Sequence, residues 1–170
     1  MPDTIVTQGA KILATPAHEV PKHLFGTKEL EKMIARMSAS VRTTEHGVAI
    51  AANQIGLPYR IFVVRGFVLA DTERSDEDPD VAFINPKIVR MSKKKELMEE
   101  ACLSVPGKHG TVRRAPQATV RAYDWKGKKM ERGGSGLLAQ VFQHEYDHLE
   151  GILYIEKAEE VSDDEKPDDK

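Results

Sequence analysis

Gln143-His144-Glu145-Tyr146-Asp147-His148 is the stretch on which the reading of this chain turns. Ser135 opens an apolar-periodic segment that runs to Glu150, with Gly151 behind it as a C′ residue, so the pattern predicts a helix over 135–150. On a helix, residues four apart lie one turn apart on one face. His144 and His148 can then offer two imidazoles to one metal ion. Glu145 sits beside the first of them, where its carboxylate can take a proton from an activated water. Leu137 and Val141 share that face, which therefore turns toward the core. A glutamate buried there is costly unless a metal or a proton satisfies it. Taken alone, the string also fits a solvent-facing helix with two incidental histidines. Gln143 and Asp147 read either as partners that orient the ligands or as surface and capping groups.

A third ligand has to come from elsewhere. No histidine follows His148, and the acids beyond it are Glu150, Glu156, Glu159 and Glu160, followed by a charged segment that would lose much chain entropy on being fixed. Upstream stands Cys102, the one cysteine of the chain. A single cysteine excludes an internal disulfide and a stapled secreted scaffold, and it suits a reducing compartment. By itself it reads as a small buried hydrophobe. Beside two histidines it reads as a thiolate ligand. Two imidazoles and one thiolate leave a fourth position open, which separates a catalytic metal site from a closed structural one.

Around these strings the pattern is α+β. Thr27 as N-cap, Glu29 and Glu31 in the first turn, and Leu30, Met33, Ile34, Met37 and Val41 at helical spacing predict a helix over 28–43. Ile61–Val64 reads as a buried strand. Val81–Ile84 begins another, with Asn85-Pro86 interrupting it. Residues 87–90 and 96–103 look extended, and Ala118, Val120 and Ala122 alternate with polar neighbours as a half-buried strand with its turn at 125–128. Strands clustered between two helices point away from repeated βαβ units. The 170 residues suit one domain over 1–155. From Glu156 onward eight acids against three lysines make −5, so a net charge of −2 leaves +3 on residues 1–155. The 156–170 segment is expected to be an acidic, solvated, flexible tail, and Asp71–Asp80 an exposed acidic loop. No apolar run is long enough to span a membrane and no leader pattern opens the chain, so a cytoplasmic location is expected.

Gly47-Val48-Ala49-Ile50-Ala51-Ala52-Asn53-Gln54 links the first helix to the Ile61 strand. Its small residues would let a substrate backbone approach, and its terminal amide could donate to an oxyanion. A tightly packed strand explains it equally well. Taken together, GVAIAANQ (47–54), EACLS (100–104) and QHEYDH (143–148) resemble the peptide deformylase family, which carries three such strings in this order and at similar spacing over roughly residues 5–155. The resemblance implies antiparallel strands packed around a central HExxH helix, with an N-terminal helix, and hydrolysis of the N-formyl group of N-formylmethionyl nascent chains. It implies one divalent ion on Cys102, His144 and His148, usually Fe2+, with Zn2+, Ni2+ or Co2+ able to substitute. Glu145 is implied as general base, and Gln54 and the Leu103 N–H as oxyanion donors. Gly47, Val48, Ala49, Met98, Ala101, Leu137 and Val141 are the candidates for the methionine pocket.

Ala49 and Ala101 stand where the family has glycines, and each adds a methyl beside the substrate path. Asn53 stands where proline is common. Many bacterial members continue into a C-terminal helix that docks on the ribosome; the acidic segment here would be repelled by rRNA phosphates, and no direct nucleic-acid binding is expected. Two other functions use the same residues. One is a metallopeptidase or amidase acting on unformylated peptides, which would want a downstream ligand. The other is a metal-stabilised binding protein without catalysis, supported by the two alanines.

Overall fold

The computed structural model describes residues 2–165. The first long helix, α1 (Lys28–Arg42), is capped by Thr27, whose hydroxyl accepts from the Leu30 N–H at 3.2 Å. Leu30, Met33, Met37 and Val41 form its buried stripe. There follow β1 (Ala49–Ala51), β2 (Ile61–Val64), a short α2 (Gly66–Ala70), β3 (Val81–Met91), β4 (Glu96–Cys102), β5 (Val105–Arg114), β6 (Gln117–Tyr123), β7 (Lys129–Ser135), α3 (Leu137–Leu149) and β8 (Glu160–Asp163).

The strands make two antiparallel sheets. One has five strands in the order β1-β2-β3-β6-β7, the other three in the order β4-β5-β8. Strand residues facing opposite ways give the larger sheet two apolar faces. One face, through Phe62, Phe83, Val120 and Ala122, packs on Val141, Phe142 and Leu149 of α3. The Phe62, Phe83 and Phe142 rings meet there at centroid distances of 5.0 to 6.2 Å, the range of favourable aromatic pairs. The other face, through Ile50, Ile61, Val63 and Ile84, takes α1. Val105, Val112, Leu153 and Tyr154 form a smaller cluster beside the three-stranded sheet. The architecture is therefore α+β, with helix α3 buried in its middle, as the resemblance implied.

Four local expectations change. Asn85-Pro86 interrupts the ladder as a register shift between Ile84 and Lys87, but β3 runs on through it to Met91. Asn85 takes φ 49°, and its amide group bonds the Val20 N–H and C=O at 2.7 and 3.1 Å, tying down the N-terminal segment at the bulge. Ser135 does not cap α3; it ends β7, and Gly136 at φ 58° turns the chain straight into the helix. Strands β5 and β7 had no reading as strands, because β5 carries Gly107 and Gly110 and β7 carries Gly133 and Gly134 amid charged residues. The expected tail is in part a strand. Residues 160–163 pair with Lys108–Thr111 as β8, because the edge of β5 offers unpaired backbone groups. The remainder of that expectation, 166–170, lies outside the described residues.

Candidate metal centre

Helix α3 is enclosed on most sides, so each polar side chain on it needs a partner. Gln143 accepts from the Ala115 N–H at 2.9 Å and donates to Ala115 O and Ala139 O, pinning the helix to the β5–β6 turn. Asp147 accepts from Arg114 Nη1 at 2.7 Å and from Lys157 Nζ at 3.0 Å. That leaves His144, Glu145 and His148 facing β4.

Three donor atoms converge there. His144 Nε2 lies 3.2 Å from His148 Nε2, and His148 Nε2 lies 3.3 Å from Cys102 Sγ. All three lie within 4.8 Å of one another. Bonds of roughly 2.0–2.1 Å to nitrogen and about 2.3 Å to sulfur place tetrahedral donors about 3.3–3.6 Å apart, so the residues fit an ion at their centre. The chemistry of the set agrees: one soft thiolate and two imidazoles suit zinc or ferrous iron and leave a position open.

The donors are oriented from behind. His144 Nδ1–H donates to Glu100 Oε1 at 2.5 Å, which leaves the Nε2 lone pair free for a metal. Arg114 grips the same carboxylate with two bonds, of 2.9 and 2.6 Å. Burial alone would raise the Glu100 pKa, but the hydrogen bonds from His144 and Arg114 outweigh it and hold it down at about 2. Burial also disfavours charge on His144, yet the Cys102 sulfur and the Glu100 carboxylate beside it prevail and raise its pKa. Burial next to His144 pushes His148 down. Glu145 is buried and its Oε2 has no partner among the described residues. Burial lifts its pKa to about 7, with the attraction of His144 opposing.

Gln54 completes the inner wall. Its Oε1 accepts from the Ala51 N–H at 2.9 Å, which turns the amide nitrogen to Ser104 Oγ at 3.0 Å and toward Cys102 Sγ at 3.6 Å. A cleft of about 400 Å³ opens over these groups. Val48 and Ala49 line one side, and Glu99 to Leu103 the other. Among the described residues β1 pairs only with β2 and β4 only with β5, so both strands present an open edge to the cleft. Gly47 also lines it, and a Cβ there would stand 2.6 Å from Val41 O, which excludes a side chain. Leu137 and Val141 line it from α3, the first exposed at the rim and the second buried.

Of the residues expected at the site, Met98 alone is not brought to it. It precedes Glu99, whose carbonyl accepts from the Gln140 amide at 2.6 Å; Gln140 itself lines the cleft. Glu100 and Arg114 had been passed over. The signal for Glu100 was its place two residues before Cys102 in one strand; nothing in the sequence pointed to Arg114. His46, Pro106, Gly107, Lys108 and Asp164 at the cleft wall were also missed.

Comparison with known proteins meets this geometry. Residues 2–164 match the polypeptide deformylase family. A peptide deformylase of Desulforudis audaxviator is 39% identical over 157 residues, covering 91% of this chain and 92% of the relative. Peptide deformylase 1A, chloroplastic, of Solanum lycopersicum is 36% identical over 92% of this chain, which spans 59% of that relative's length. The Met-Ala-Ser-bound crystal structure of a class I type b peptide deformylase from Acinetobacter baumannii superposes with TM-score 0.81 at 31% identity, covering 92% of this chain and 99% of that one. The fold, the order of the strings and the Cys-His-His set thus agree with these likenesses, and the chain belongs to the polypeptide deformylase family, metalloenzymes that remove the N-formyl group from new peptides.

Proposed function

We propose that Cys102, His144 and His148 hold one divalent ion, ferrous iron natively with zinc, nickel or cobalt able to substitute, and that the cleft above them releases formate from N-formylmethionyl peptides. The observation that carries this reading is the convergence of three donor atoms within 4.8 Å beside a buried glutamate oxygen that has no partner. When bound, the ion supplies Lewis acidity toward a carbonyl oxygen and a water molecule.

The chain's own residues do the rest. Glu145 takes the proton from the attacking water as the water oxygen bonds to the formyl carbon, and delivers it to the amine nitrogen as the C–N bond breaks. A carboxylate lifted by burial can serve in both directions near neutral pH. The Gln54 amide and the Leu103 N–H donate to the oxygen that gains charge. Gly47, Val48, Ala49, Ala101, Leu137 and Val141 offer the methionine side chain an apolar wall. The open edges of β1 and β4 let the peptide backbone bond on both flanks. Nascent chains in the cytoplasm are the substrates this implies. No helix among the described residues is long and apolar enough to cross a membrane.

The test is formate release from formyl-Met-Ala-Ser by protein loaded anaerobically with ferrous iron, since air would oxidise a thiolate beside iron. Turnover is expected. Cleavage of unformylated peptides without formate would favour a peptidase, and no turnover with metal bound would favour a binding protein. Glu145→Gln should keep the metal and lose on the order of 10²–10⁴-fold in kcat; full activity would exclude Glu145 as the base. Cys102→Ala should lose its metal on dialysis, and unchanged metal content would refute the ligand set.

A further inference from the structure

The last described strand does more than extend a sheet. β8 pairs with β5 in the register Lys108↔Asp163, and the Asp164 N–H then donates to Gly107 O at 2.8 Å. Here the chain bulges. The β4–β5 register shifts between Glu100 and Cys102, and Gly107 takes φ 74°. Pro106, Gly107, Lys108 and Asp164 consequently form a wall of the same cleft that holds Cys102, Gln54 and the unpartnered oxygen of Glu145. Asp164, at the end of this strand, is therefore part of the cleft wall.

The charges on that wall do not cancel. Lys108 is its one lysine or arginine, and its ammonium is held by Asp163 at 2.7 Å, outside the lining. Glu100 is matched by Arg114 and buried. Asp164 bonds the His109 ring at 2.7 Å, and no lysine or arginine among the described residues pairs with it. Glu99, exposed on the open-edged strand β4, has no ion pair among the described residues. Two acidic residues, Glu99 and Asp164, thus line the cleft without a lysine or arginine partner among the described residues, beside the path of an extended peptide that would advance about 3.3 Å per residue.

Resting on the deformylase reading, we propose that this cleft selects formyl-methionyl peptides with a lysine or arginine among the residues that follow the methionine, and that Glu99 and Asp164 are the residues that select them. The interaction is between solvent-exposed charges, so it is modest and screened by salt. It acts on capture of the peptide more than on the chemical step.

The experiment uses the full chain loaded with ferrous iron. Formate release is followed for formyl-Met-Ala-Ser and for versions with Lys or Glu at the second or the third position, at low and high salt. At one position or both, kcat/KM should favour Lys over Glu by about 3–10-fold at low salt, mostly through KM, and the ratio should shrink at high salt. Glu99→Gln with Asp164→Asn should bring the ratio close to one. Turnover with a Lys-to-Glu ratio flat at both positions would overturn the proposal while leaving the deformylase reading standing. A ratio that survives the double substitution would overturn the assignment to these residues. Failure to release formate from any of the peptides would instead remove the reading on which the proposal rests.

Discussion

The two sheets are built on different physics. The five-stranded sheet and α1 are held by apolar stripes: Phe62, Phe83 and Phe142 on one side, Ile50, Ile61 and Met37 on the other. The three-stranded sheet has only a small apolar cluster and is tied down by charge. Arg114 joins Glu100 to Asp147 inside it, Lys108 and Arg113 pair with Asp163 and Glu159 at its edge, and the His109 ring hydrogen-bonds Asp164. Helix α3 crosses between the two regions and takes a different kind of support from each. Phe142 and Leu149 anchor it to the apolar side, while His144 and Asp147 are bonded to the ionic side. Apolar burial is non-directional and holds an element in place; the ionic side adds direction, which a ligand set requires.

Breaking each region at its centre should cost similar energy, but only the ionic break should respond to acid. Phe142→Ala leaves a cavity beside the Phe62 and Phe83 rings and should cost about 3–5 kcal/mol at any pH where the protein is folded. Arg114→Ala leaves Glu100 and Asp147 buried without their main cation, and should also cost about 3–5 kcal/mol near neutrality. Urea unfolding should show part of the Arg114→Ala loss recovered as pH falls, because Glu100 can then take a proton. An equal loss at both pH values would mean that the network adds nothing that packing does not.

Wild-type protein should show the same network in acid. Glu100 is held at about 2 against an ordinary 4.5, so the stability it contributes is complete above about 4.5 and is lost as pH falls through about 2. Glu100→Gln should remove that part of the acid slope from urea titrations. A slope identical to wild type over this interval would place the acid sensitivity elsewhere.

The contrast also decides what could be read in advance. Period and caps reveal apolar regions, so α1 was legible to within a residue and the Ile61 strand was placed exactly where the apolar run lies. The Cys102, His144 and His148 set was legible because two ligands share a helix face and the third is a unique residue type. Glu100–Arg114–Asp147 was not. These groups lie 14 and 33 positions apart, and no local pattern distinguishes a charge that will be buried from one that will be solvated. β8 was missed for the same reason: Glu160–Asp163 is all exposed, and its strand conformation comes from the free edge of β5 rather than from its own residues. Met98 is half-buried and does not line the cleft, whereas Gln140, reaching over from α3, does, because its position depends on how the helix packs on β4 rather than on any local pattern.

Smaller changes separate local capping from edge electrostatics. Thr27→Ala removes the hydroxyl that accepts from the Leu30 N–H and should cost about 1 kcal/mol in thermal or urea unfolding.

Lys108→Met should do less. It breaks the 2.7 Å pair with Asp163, but both side chains are largely in water, at 44% and 82% exposure, so solvent screening keeps the loss small. β8 keeps its backbone ladder to β5 in this variant, and the Asp164 N–H keeps its bond to Gly107 O. Unfolding in low and high salt is the check. A loss as large as that of Thr27→Ala that persists in high salt would show that this pair anchors the strand, and that the edge of the ionic sheet behaves like its buried centre.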